Sequence, residues 1–333
     1  MKLAELCAFD VVSESMEWPW FAFDASGTRF AYPVSTAEIA TQHYDGERPI
    51  AGPSFALPTG VFTSELQGFA LHRDGAELTL VAQVEGRSVL FVCKGGASPT
   101  PVDLAALIGE SFTARAVAYD RKGERLWISA DSNSATVIVL VDAATHAFIG
   151  SSPGRAFPLP AVHELHLHPV DDAILLLASC GPEGTFARVV GFAGNAVEAI
   201  ETSLDNGAVP AGFVGFSGDA TRVHLAEADE LRTHAWPGLV ELSSIELADE
   251  FISNYSGAVF GDNILVDGHV DEGAGDAVMQ FDRSALYGKM LAPPVPLGMW
   301  AGRIGRDAIV TVDPKAKPAR GTVVRIALAD VVN

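Results

Sequence analysis

Apolar and polar residues alternate with a period of two over short runs of this chain, and clusters of Gly, Asp, Asn and Pro separate the runs. That is the pattern of half-buried β-strands joined by tight turns. The runs also recur at long range. Phe30, Leu78, Leu126 and Ile174 lie 48 residues apart, and Val223, Ile264 and Ile309 continue the series at steps of 49, 41 and 45. Each of these seven markers sits in the same local text of apolar stretch, polar turn and second apolar stretch. The clearest copies are FAFDASGTRFAY from Phe21, FALHRDGAELTL from Phe69 and VAYDRKGERLWI from Val117.

Strand-rich text repeating at about 45 residues is the length of a propeller blade. Seven markers therefore predict an all-β fold, a seven-bladed β-propeller of four-stranded antiparallel blades, with residues 1–333 as one domain. The third repeat shows the plan best. Arg115–Tyr119 is its inner strand, followed by Arg125–Ala130, Thr136–Val141 and Ala147–Ser151. The sixth and seventh repeats have tighter first hairpins, at Gly261–Asn263 and Gly305–Asp307, which shortens their spacing. The last repeat runs out of chain at Asn333 before a fourth strand. An uncovered sheet edge is an aggregation liability. Leu3–Val12, which precedes the first repeat, is thus predicted to form the outer strand of blade 7. One helix is predicted, Asp103–Glu110, with Asp103 as its cap.

Alignment on the markers places Phe21, Phe69, Val117, Leu165 and Val214 at one inner-strand position, and Phe23, Leu71, Tyr119, Leu167 and Phe216 two residues on. Between them stand Ala22, Ala70, Ala118, His166 and Gly215, so large side chains face one neighbouring blade and small ones the other. His166 is the exception. With their DASG, HRDG and DRKG turns, these repeats resemble the WD-repeat and YVTN-type seven-bladed propellers over essentially the whole chain. None of the five tryptophans is followed by Asp, and Gly-His occurs at Gly268–His269, in the wrong part of a repeat. The hydrogen-bond network of the WD-repeat family therefore cannot be carried over to residues here. What the resemblance implies is a rigid platform for a protein or peptide partner.

Composition narrows the classes. Asp and Glu number 42 against 22 Lys and Arg, a formal charge of −20, which repels phosphate backbones and argues against nucleic acid. The longest apolar runs are strand-sized, far below the roughly 20 residues of a membrane helix. The start MKLAELCAFD lacks the basic and long apolar parts of a secretory signal, so the expected location is cytoplasmic. Cys7, Cys93 and Cys180 contain no CxxC pair and read as reduced small hydrophobes.

Catalytic motifs are sparse. No Walker sequence, GxGxxG or HExxH occurs, and GFSGD at Gly215–Asp219 lacks the second Gly of a nucleophile elbow. His163, His166 and His168 form the cluster HELHLH, with His166 and His168 on one side of a strand and His163 on the other. Asp267, Asp271, Glu272 and Asp276 crowd a segment whose spacing does not match a calcium loop, and they read as a solvated hairpin tip. No cofactor and no metal are expected. Trp18, Trp20, Phe112, Phe213, Tyr255 and Trp300 precede or open inner strands and would gather at one mouth of the channel. The expected function is non-enzymatic: a monomer binding a protein or peptide through Trp18, Trp20, Arg115, His163, His166, Tyr255 and Trp300. The alternative is a propeller-type lyase or lactonase with its site in the channel near His166 and Glu164, where Asn254 and Arg115 complete a poor ligand set.

Overall fold

A computed structural model describes residues 2–12, 21–61, 66–109, 111–132, 135–155, 162–180, 184–193, 196–200, 210–270, 276–282, 288–291, 297–313 and 316–327. Seven four-stranded antiparallel sheets follow one another along the chain. From innermost to outermost strand, blade 1 is Ala22–Phe23, Arg29–Ser35, Glu38–Tyr44 and Pro49–Ala56, and blade 2 is Leu66–Leu71, Glu77–Val84, Arg87–Lys94 and Thr100–Asp103. Blade 3 is Thr113–Tyr119, Arg125–Asp131, Thr136–Asp142 and Phe148–Ser151, and blade 4 is Val162–Leu167, Ala173–Ser179, Thr185–Ala193 and Ala196–Ile200. Blade 5 is Gly212–Phe216, Arg222–Ala226, Glu230–Ala235 and Glu241–Glu246. Blade 6 is Phe251–Phe260, Asn263–Val270, Asp276–Phe281 and Gly288–Leu291.

Blade 7 takes Met299–Ile304, Ala308–Asp313 and Ala319–Ala327 from the end of the chain and Lys2–Val11 from its beginning. The first strand runs antiparallel to Ala319–Ala327, from Lys2 opposite Ala327 to Val11 opposite Ala319, with one irregularity between Glu5 and Cys7. Phe9 fixes it by packing on Tyr32 of blade 1, ring centroids 4.2 Å apart. The ends of the chain are therefore held in one sheet, as the unpaired edge of the last repeat predicts.

Each of the seven markers falls in the second strand of its blade and is at most 1 % exposed. Burial of these positions on both faces explains why they are invariably large and apolar. The predicted helix is shorter than expected, Ala105–Ile108, with the Asp103 side chain accepting the Ala105 amide at 2.8 Å. It ends at Gly109.

A belt of polar contacts joins neighbouring blades on the lower face, where the first hairpin turns lie. Arg29 donates to the Arg73 carbonyl at 2.7 Å, His72 to Gly123 at 3.2 Å, Arg121 to Val170 at 2.6 Å and His168 to Ala220 at 2.8 Å. Between blades 5 and 6 the turns pack closely instead, and a Cβ on Gly218 would lie 3.3 Å from the Gly261 carbonyl oxygen. Arg303 reaches back to Val259, and the Gly305 amide closes onto the Gly27 carbonyl at 2.6 Å. Asp24 and Asp120 organise their turns by accepting the amides of Thr28 and Arg29, and of Glu124 and Arg125. Gly123 is required in such a turn: its φ is +76°, and a Cβ there would lie 2.1 Å from the His72 ring.

Candidate functional site

The upper face, where the innermost strands begin, carries the residues singled out from the sequence. Trp18 and Trp20 lie outside the described residues. Arg115, third in the inner strand of blade 3, is 28 % exposed at its side chain. It donates from Nε to Asp131 at 2.9 Å and from Nη1 to Gln67 of blade 2 at 3.3 Å. Its guanidinium thus ties two blades together while keeping one edge in solvent.

His163 does not reach the surface. It points from blade 4 into blade 3, where Nδ1 meets Ser129 Oγ at 3.1 Å and Nε2 lies 3.9 Å from Asp131 Oδ2. Burial, with a smaller contribution from Arg115, pushes its pKa down to about 4, so the ring is neutral near pH 7. Burial raises the pKa of Asp131 against the pull of Arg115. Neither His163 Nε2 nor Asp131 Oδ2 has a hydrogen-bond partner among the described residues. Ser129, His163 and Asp131 are the residue types of an acyl-transfer triad, but the Ser129 side chain is wholly buried and offers no surface to a substrate. The trio supports the rim from beneath.

His166 takes the opposite side of the strand, as the alternation predicts. Its ring stacks on Phe213 of blade 5 at 3.8 Å, and its Nε2 pairs with Glu164 at 3.0 Å. Stacking is how an imidazole fits where aligned blades carry Ala or Gly. His168 is sealed into the turn below it, stacked on Trp236 at 4.4 Å and accepting the Asp171 amide.

Blade 6 departs most from the repeat. Its inner strand bulges between Ser253 and Ser256, placing Tyr255 at φ +58° with 38 % of its surface exposed. Gly212 of blade 5 lies against the Tyr255 carbonyl, so close that a Cβ would sit 1.7 Å from it. Beneath the bulge is Asp267. Its Oδ2 accepts Asn254 and Ser256 at 3.1 Å each and the Trp300 amide at 3.3 Å, while Oδ1 has no partner among the described residues. Burial raises the Asp267 pKa to about 7, against those three donors.

Two expectations need correction here. Asp267 is not at a solvated hairpin tip: it is 1 % exposed within the second strand, while Asp276 holds the Leu297 and Gly298 amides at 2.6 and 3.1 Å. Asp271 and Glu272 lie outside the described residues. Trp300 is 6 % exposed, packed between blades 6 and 7 with Leu297 and Ile309, and so supports the rim from within. The buried carboxylate under a bulge was missed because period-two alternation does not register an extra residue.

Glu164, Asn254 and Arg115 are each held by local partners, His166, Asp267 and Asp131 respectively. Among the described residues no three His, Cys, Asp or Glu side chains are grouped to hold a metal ion.

No protein-family model matches this chain, and no curated protein sequence matches it. Solved structures match its shape. The C-terminal WD40 domain of Sif2 aligns over 98 % of this chain and 99 % of its own, with a TM-score of 0.56 and 10 % identity. A chain of the mitotic checkpoint complex aligns over 98 % of this chain and 96 % of its own, with a TM-score of 0.65 and 8 % identity. The architecture is that of a WD-repeat-like seven-bladed propeller.

Proposed function

We propose that this single-domain propeller is a non-enzymatic platform that binds a protein or peptide on its upper face. One observation carries the proposal: Arg115, His166 and Tyr255 are each partly exposed while resting on a neighbouring blade, Arg115 bonded to Gln67, His166 stacked on Phe213 and Tyr255 against Gly212. Such a surface presents shape, an Arg and aromatic rings without a placed nucleophile. His163 and Trp300 belong to the support, and Trp18 and Trp20 complete the contact surface in this proposal. The similarity to a chain of the mitotic checkpoint complex, an assembly by its name, agrees with a role among protein partners.

The test is recovery of a stoichiometric partner from native extract with the tagged chain. A Trp18→Ala, Trp20→Ala double variant is expected to lose at least 90 % of that partner, on the order of the effect of two hot-spot truncations. Retention of the partner at the wild-type level would place binding elsewhere.

A further inference from the structure

The blade 6 bulge holds Tyr255 in a conformation that its own backbone disfavours. A bulky residue at φ +58° keeps that conformation only where its surroundings fix it. The Tyr255 amide donates to Ser253 Oγ at 2.9 Å, and Gly212 of blade 5 lies against the Tyr255 carbonyl. On either side, Asn254 Nδ2 and Ser256 Oγ both donate to Asp267 Oδ2 at 3.1 Å. The Trp300 amide of blade 7 donates to the same oxygen at 3.3 Å. One carboxyl oxygen therefore ties both flanks of an exposed aromatic residue to the neighbouring blade.

The two oxygens of this carboxyl are unlike. Oδ2 accepts three donors, whereas Oδ1 is buried with no partner among the described residues. A proton can sit on Oδ1 without breaking any bond of the clamp, and its loss leaves a buried charge that hydration would relieve. Asp276, whose Oδ2 holds the Leu297 and Gly298 amides, adds like charge from the third strand. On the blade 7 strand that carries Trp300, Arg303 is engaged with the Val259 and Gly305 carbonyls instead. His269 meets the clamp from its exposed side, with Nδ1 3.2 Å from Asn254 Oδ1.

We infer that Asp267 is a positioning residue of the upper face: its protonated carboxyl clamps the bulge that presents Tyr255 to the partner, and loss of that proton releases the clamp. The effect on binding rests on the upper face being the binding surface; the clamp itself does not. Burial, with a smaller contribution from Asp276, raises the Asp267 pKa from 3.8 to about 7 against the three donors. Between those values the clamped form keeps a proton that an opened, hydrated form has released. Opening therefore becomes about tenfold easier with each pH unit and levels off above about 7.

Hydrogen exchange of the whole chain from pH 5 to 8.5, corrected for the intrinsic rate at each pH, tests the clamp without a partner. Protection at the Tyr255 and Trp300 amides should fall about tenfold per unit from pH 5 to 7 and then level off. It should stay below that of the core strand Glu77–Val84 at every pH, because the opening is local. Asp267→Asn keeps the acceptor without the ionisation and should hold protection at both amides constant, while His269→Gln should leave the wild-type response in place. A pH response in Asp267→Asn, its disappearance in His269→Gln, or protection equal to that of the core strand overturns the inference. Should Asp267→Asn fail to fold, Ser256→Ala removes one donor and should lower Tyr255 protection about threefold to tenfold at pH 6; no change would overturn the clamp. With the recovered partner, wild-type capture should fall at least threefold from pH 6 to pH 8 and Asp267→Asn capture should not. A partner lost from the Trp18, Trp20 variant but captured equally at both pH values leaves the platform standing and overturns the control by Asp267. A local, Asp267-dependent exchange response with no partner lost from the Trp18, Trp20 variant supports the clamp and counts against the wider rim.

Discussion

Asp267 shows how one side chain couples the channel wall to pH. Its folded pKa of about 7 stands above the ordinary value of 3.8, so between those values the folded chain keeps a proton that the unfolded chain has released. The stability this contributes is complete below the unfolded pKa and is lost as pH rises through about 7, a difference on the order of 4 kcal/mol. Asp267→Asn retains an acceptor for Asn254, Ser256 and the Trp300 amide without the ionisation. Thermal melts from pH 5 to 8.5 should therefore show the variant gaining on the wild type as pH rises, and a constant gap would contradict this. His163 acts in the opposite sense. Its pKa is depressed to about 4, so its contribution is present at neutral pH and is lost as pH falls from about 6.5 toward 4.

At the scale of strands and sheets, ring closure depends on Lys2–Val11. Phe9 lies within 6.5 Å of the Phe21, Phe30 and Tyr32 rings, and so joins blade 7 to blade 1. Phe9→Ala should cost about 3 kcal/mol in a urea melt, and a loss below about 1 kcal/mol would mean that the terminal strand is held by its ladder alone. This closure was legible before any coordinates, because a repeat short of a strand leaves an edge that another segment must cover. The second strands were equally plain, since a marker such as Leu126 or Ile174 is buried on both faces and tolerates no polar substitute. The site was less so. His163 and His166 were correctly placed on opposite sides of their strand by alternation, yet burial of His163 and Trp300 depends on how neighbouring blades lean together. Tyr255 was found as an aromatic at a strand start, whereas the bulge that exposes it and roofs Asp267 comes from one irregular register in blade 6.

As a whole molecule the chain is a ring with two unlike faces. The lower face is knitted by turn-to-turn bonds from blade to blade, which spends its polar groups on the scaffold. The upper face keeps an Arg edge at blade 3 and the Tyr255 ring. Hydrogen–deuterium exchange of the chain alone and with its recovered partner reads the two faces at once. Slowed exchange is expected at residues 111–116, 227–232 and 247–256, with no change at the lower turns 24–28, 72–76, 120–124 and 168–172. Protection of those lower turns, with the upper segments exchanging as in the free chain, would contradict the assignment of the binding face.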